Sequence, residues 1–231
     1  MSHASLIVAV EDWLIGKALG DPEIRLLFEK LCERLHATGI PLERASLSWP
    51  TLHPLFKSEQ VFWHLGEGAH LNQYEHSDGP TEAWIKSPLF HVHKHSLSHL
   101  RRRLTGPGAM IDFDVLQEFR DKGFTDYLIT ATEFGIADVE VFAGKSTGII
   151  ASWATRREGG FSDDDLDALR RIQRVFAATS GRGRSGGTAP SVPMWMIPAT
   201  LSDGTRPRCF SMNRRSCDGQ SLNQLAPHPD A

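Results

Sequence analysis

Hydrophobic positions change period once between Gly148 and Ala178, and the change marks two elements. Apolar side chains alternate along Ile149–Thr155 in the strand period of two. After the basic turn and Gly159–Gly160, Leu166, Leu169, Ile172 and Phe176 recur at helical spacing. Ser162 stands at the N-cap position, and Asp165 three residues later completes a capping box. Phe161 and Leu166 occupy the staple positions around that cap. Asp163, Asp164 and Asp165 place negative charge at the positive end of the helix dipole, with Arg170, Arg171 and Arg174 towards the other end. Three consecutive carboxylates on a helix point in different directions, so the Asp run reads as capping and not as a metal site.

The same pattern organises the rest of the chain. Ile7, Val10, Leu14 and Ala18 predict an opening helix that ends at Gly20. Asp21–Pro22 reads as the restart of a second helix, whose stripe is Ile24, Leu27, Phe28, Leu31 and Leu35 and whose stop is Gly39 with Pro41. Strands are expected at Ala45–Trp49 and Gln60–Leu65, with the turn TLHP between them. Residues 66–80 are polar and Gly-rich and read as a loop. Trp84 to Leu104 reads as partly helical, with Pro88 limiting where a helix begins. Val115–Lys122 predicts a short helix before Gly123. Tyr127–Thr132, with Tyr127, Ile129 and Ala131 on one side, Val139–Phe142 and Ile149–Thr155 complete a set of strands. The expected class is α/β (α+β): a single antiparallel sheet flanked by helices, placed against one face.

From Ser180 onward no Lys or Glu occurs, and six of the thirteen prolines fall there. Such a segment has little apolar surface to offset chain entropy, so 179–231 is expected to be a disordered tail or the product of a frameshift. Charge divides at the same point. Residues 1–179 hold 19 basic and 25 acidic side chains and 180–231 hold 6 and 3, so net −6 is followed by net +3. An acidic body argues against a nucleic-acid partner. No run reaches the ~18–20 apolar residues of a membrane span, and the N-terminus lacks the basic start of a secretory signal. Cys32, Cys209 and Cys217 form neither a paired framework nor a metal spacing, which points to a reducing cytoplasm.

Candidate chemistry is sparse. His91, His93, His95 and His99 cluster, and on one continuous helix His91, His95 and His99 would share a face able to present imidazoles to a metal or haem iron. No Cys or carboxylate accompanies them at a recognised spacing, so they stand as weak metal candidates beside the reading of a solvated helix face. Arg101–Arg103 reads as a solvated helix end, with phosphate or acidic-partner binding as the alternative. Gly66–Gly68 and Gly159–Gly160 are turn glycines, because no GK[ST] follows either pair. Trp13, Trp49, Trp63, Trp84 and Trp153 read mostly as core, with one or two available to line a ligand pocket.

Three stretches carry a family resemblance: VEDWLIGKALGDPEIRLLFEKLCERLHATGIPLERASLSWPTLHPLF, RRRLTGPGAMIDFDVLQEFRDKGFTDYLITATEF and TGIIASWATRREGGFSDDDLDALRRIQRVFA. Together they resemble the N-terminal regulatory region of class III adenylate cyclases from rhizobia and related α-proteobacteria, a region of the GAF type. The resemblance covers roughly residues 8–178. It implies a GAF-like regulatory domain over 5–178 that senses, dimerises or positions ahead of a domain converting ATP to cyclic AMP and diphosphate. Mg²⁺ or Mn²⁺ is implied only for that catalytic domain. No catalytic residue carries over, because Asp203, Asp218 and Asp230 are isolated after Ala178 and no Lys follows it. The chain alone is therefore expected not to cyclise ATP. Its expected partners are a small-molecule ligand and a second copy. The alternative is a stand-alone ligand-binding or protein-interaction domain with no cyclase role.

Overall fold

The computed structural model describes residues 3–18, 20, 23–51, 55–76, 80–133 and 148–180. Two helices lead, α1 (His3–Ala18) and α2 (Ile24–Ala37), followed by strands β1 (Arg44–Pro50), β2 (Phe56–His64) and β3 (Gly68–Glu75). Two short helices, α3 (Glu82–Ile85) and α4 (Pro88–Lys94), precede β4 (His99–Arg103) and α5 (Asp114–Asp121). Strands β5 (Asp126–Glu133) and β6 (Gly148–Thr155) and the helix α6 (Asp163–Ser180) complete the order. The six strands form one antiparallel sheet in the order β3-β2-β1-β6-β5-β4. The expected α+β class, with one antiparallel sheet flanked by helices, is the one that forms.

Helices cover both faces of that sheet, not one. On the first face α1, α2 and α6 bury Leu14, Phe28 and Ile172 against Leu47, Trp63 and Trp153. On the second face α4 and α5 bury Val92, Leu116 and Phe119 against Leu100, Tyr127 and Ile129. The period of two puts Tyr127 and Ile129 on the second face and Leu128 on the first. Strand β5 is therefore apolar on both sides, which a one-faced reading does not anticipate.

The α6 cap forms as expected. Asp165 N donates to Ser162 Oγ at 3.2 Å, and Ser162 N donates to Asp165 Oδ2 at 2.8 Å. Phe161 and Leu166 are buried together in the first cluster. Gln173 Nε2 then reaches Ile149 O at 3.2 Å, and Arg171 Nη2 reaches Glu11 Oε2 on α1 at 2.7 Å. Helix α2 begins two residues later than its Asp-Pro signal, with Glu23 as N-cap, and Thr38 caps its end before Gly39 at φ +98°. Asp21–Pro22 and most of TLHP lie outside the described residues, as do Val139–Phe142 and the tail from 181 onward.

Two expectations need correction. Residues 66–80 are not all loop, because Gly68–Glu75 pairs with β2 as an edge strand. Its side chains are exposed from His70 to Glu75, so no apolar alternation advertises it. Residues 99–103 are not helix either, because His99–Arg103 pairs with β5. Helix α4 stops at Lys94, where His95 caps it and Ser96 takes a left-handed φ of +49°.

Candidate functional site

The arginine run is neither a solvated helix end nor an open phosphate site. As strand residues, Arg101, Arg102 and Arg103 each find a fixed partner. Arg101 Nη2 and Nε donate to Asp126 Oδ2 at 2.6 and 3.1 Å, and Arg101 Nη2 also reaches Phe161 O at 2.7 Å. Asp126 is fully buried and accepts Phe161 N at 2.9 Å as well. One carboxylate thus ties β4, β5 and the turn before α6 together. Arg103 Nη1 donates to Gly159 O on the same turn. Arg102 points the other way and forms a bidentate pair with Asp112, at 2.9 Å from Nε to Oδ1 and 2.7 Å from Nη2 to Oδ2.

That second pair borders a surface cavity. It measures about 370 Å³ and lies between α4 and the segment leading into α5. Phe90, His91 and His95 form one wall, and Asp112, Phe113 and Asp114 form the other. Sequence explains the first wall: Ser87 caps α4 by accepting Phe90 N at 3.1 Å, and Pro88 fits the first turn. His91 and His95, one turn apart, therefore project together, with ring centroids 4.3 Å apart. His91 also meets the Phe113 ring edge-on at 5.5 Å. Lys86 and Lys94 stand at the rim. Hydrogen bonding from Arg102 holds the Asp112 carboxyl below its ordinary value, so it stays ionised. Its charge is matched by Arg102, Lys86 is paired with Glu82 at 2.7 Å, and Asp114 and Lys94 add one charge of each sign to the lining.

The three-histidine face does not form. His91 and His95 share the cavity wall, whereas His99 is exposed at the start of β4 and bonds Ser98. Among the described residues no three His, Cys, Asp or Glu side chains come together in a way that would hold a metal ion. Neither the histidine cluster nor the Mg²⁺ or Mn²⁺ implied for a cyclase domain finds a fitting ligand set there. Cys32 is buried in the first core, and burial pushes its thiol well above the usual range, so it behaves as an apolar side chain.

The tryptophans are mostly core, as expected, and none is among the residues lining the cavity. Trp49, Trp63 and Trp153 are almost wholly buried, while Trp13 packs under Arg34. Trp84 stays partly exposed and meets Phe90 edge-on at 5.9 Å, next to the cavity. Sequence reading missed Asp112 and Phe113 as wall residues. They come from a segment without periodicity, held by the Arg102–Asp112 pair on β4 and the His91–Phe113 ring contact on α4. Among the described residues no helix is long and apolar enough to cross a membrane.

No protein-family profile matches the chain, and no curated protein matches it. Solved structures do. A protein assigned as a GAF sensor from Burkholderia vietnamiensis aligns over 77% of this chain and 94% of its own, with 12% identity and a TM-score of 0.44. The phycoerythrobilin-bound GAF domain of a cyanobacterial phytochrome aligns over 76% and 95%, with 10% identity and a TM-score of 0.44. The GAF domain of a two-component sensor histidine kinase from Bacillus halodurans aligns over 60% and 80%, with 17% identity and a TM-score of 0.36.

Proposed function

We propose that residues 5–178 form a GAF-like sensory module that binds a small planar molecule in the cavity between α4 and the approach to α5. The observation that carries this reading is the cavity itself, about 370 Å³ and walled by Phe90, Phe113 and the His91–His95 pair. Such a volume suits one small ligand, and apolar rings with a few polar groups are the usual lining of such sites. The rings offer stacking surface, the imidazoles offer donor and acceptor positions, and Lys94 and Asp114 add one charge of each sign to the lining.

The finer reading is that this module is the regulatory region of a class III adenylate cyclase, acting on a catalytic domain that these residues do not contain. It rests on the three sequence stretches with their ordered motifs WPTLHP, RRRLTGP and GFSDDD. Pairing of two copies belongs to the same reading. Trp84 supplies the direct test. Its partly exposed ring beside Phe90 should change fluorescence when a panel of planar heterocycles is titrated in, and the binders should lose affinity in Phe113→Ala and His91→Ala. A panel without response, or a response unchanged in both variants, would overturn the site. For the cyclase role, residues 5–178 joined in frame to a class III catalytic domain should make cyclic AMP at a rate set by that ligand. A rate indifferent to it would overturn the regulatory assignment.

A further inference from the structure

Among the described residues only one of the two edges of the sheet is closed. Along β4 the chain doubles back, so that Arg103 bridges Ala109 and Met110 N donates to Arg103 O at 2.9 Å. Arg101, Arg102 and Arg103 add three consecutive charges to that edge. Charge and a covering loop are how an edge is kept from pairing with another chain. Strand β3 is the other edge, and it carries neither device. Residues 68–74 read GAHLNQY, with no Lys, Arg, Asp, Glu or Pro, and their register with β2 runs unbroken from His64↔Gly68 to Ser58↔Tyr74. The polar contacts of α2 fall at the start of this strand, where Arg25 Nη1 meets Ala69 O at 3.4 Å and the Glu29 carboxylate lies against Gly68.

Backbone geometry fixes which groups that edge leaves over. Leu65 N donates to Glu43 O, so odd-numbered residues of β2 bond β1 and even-numbered ones bond β3. His64↔Gly68, Phe62↔His70 and Gln60↔Asn72 are therefore the bonded pairs of the outer ladder. The amides and carbonyls of Leu71 and Gln73 point away from the sheet, and Arg25 at Ala69 O obeys the same alternation. Among the described residues no group pairs with the Leu71 or Gln73 backbone. Leu71 and Tyr74 are also large side chains left well exposed on this strand.

We propose that β3 pairs with β3 of a second copy of this chain, antiparallel about a twofold axis at Asn72, so that the two sheets run on as one. This seam rests on the pairing of copies put forward above and gives it a surface. Leu71 then lies opposite Gln73 of the second copy, and each such pair exchanges two backbone bonds. Asn72 faces its own counterpart, and His70 stands opposite Tyr74. The run is complementary to itself, because no like charges oppose each other along 69–74. That matters for a body whose residues 1–179 hold 19 basic against 25 acidic side chains, since two such bodies repel elsewhere. An axis at Gln73 would set Leu71 opposite Glu75, and an axis at Leu71 would set Gln73 opposite Ala69, whose carbonyl Arg25 already covers.

Sedimentation of the full chain should show twice the monomer mass at high concentration and the monomer mass on dilution. Gln73→Pro removes an outward amide and no bond to β2, so it should weaken the dimer about tenfold or more while the fold melts near the wild type. If that variant fails to fold, Leu71→Lys leaves the backbone intact, brings like charges together near the axis and should weaken the dimer as well. Register is read by crosslinking in a Cys209→Ser, Cys217→Ser background. Asn72→Cys should form a disulfide between copies under mild oxidation, because a non-bonded antiparallel pair holds its Cα atoms roughly 4.5 Å apart. Gln73→Cys, displaced from its counterpart along the strands, should not. A dimer that survives both Gln73→Pro and Leu71→Lys, or that crosslinks through Gln73→Cys and not Asn72→Cys, would overturn this seam and leave the pairing of copies standing. A chain that is monomeric at every concentration would overturn both and leave the edge to a strand of another protein. The α4 cavity is read separately, by Trp84 fluorescence.

Discussion

Gly160 lies directly against the buried carboxylate of Asp126. A Cβ on Gly160 would fall 2.8 Å from Asp126 Cβ and 2.9 Å from its Cγ, and the backbone there has φ +74°. The turn before α6 is thus built on a residue with no side chain because the ion-pair node occupies the space. Gly160→Ala adds both a clash and an unfavourable left-handed residue. We expect a loss of about 2–4 kcal/mol, read as a lower urea midpoint with an unchanged slope. A change within half a kcal/mol would show that the turn yields freely.

Asp126 itself holds Arg101 and the Phe161 amide. Asp126→Ala leaves a buried N–H without a partner and a partly buried guanidinium without its counter-charge. The expected cost is about 3 kcal/mol, since Arg101 keeps a quarter of its side-chain exposure and so some water. Calorimetric melting of the variant checks it, and Arg101→Met should recover part of the loss in the double variant.

The cap of α6 allows a graded test. Ser162→Ala removes one capping acceptor and should cost about 1 kcal/mol. Asp165→Ala should cost more, because Asp165 Oδ2 accepts from both Ser162 N and Arg157 Nη2, the latter at 2.6 Å. Equal losses in thermal unfolding would mean that the Arg157 pair adds nothing beyond the cap.

His64 makes stability pH-dependent in a defined direction. Burial first, and then the Arg44 charge, lower its pKa from the ordinary 6.5, with Glu67 opposing. The unfolded chain then binds the proton more tightly than the folded one. Stability from this group is present above pH 6.5 and is lost as pH falls from there towards the lowered folded value. Urea unfolding at stepped pH should show this slope in the wild type and lose it in His64→Gln. A slope unchanged in that variant would assign the pH dependence to other groups.

The purified chain, supplied with ATP and Mg²⁺ or Mn²⁺, should make no cyclic AMP. In-line displacement by a ribose hydroxyl requires metal ions clamped by fixed carboxylates. The three aspartates beyond Ala178 are scattered as Asp203, Asp218 and Asp230. Production of cyclic AMP that disappears in Asp203→Ala or Asp218→Ala would place an active site there.

Local chemistry and periodicity alone determined α1, the stripe of α2, the helix after Ser162, and the strands around Trp49, Trp63, Leu128 and Trp153. Each buries at least one face, so its apolar spacing writes its conformation into the sequence. Tertiary structure decided the rest. Strand β3 lies at an edge with most of its side chains in water, and it is placed chiefly by the β2 ladder, which has no side-chain signature. Strand β4 reads as a charge run because its arginines are matched by Asp126 and Asp112, residues brought near only when β5 and the loop before α5 are in place. The candidate sites follow the same division. His91 and His95 were legible together from helical spacing, and His99 was lost to them when Ser96 turned the chain. The packing of Arg44 on the Phe62 and Phe119 rings was invisible, because no local pattern encodes which side chains converge from distant elements.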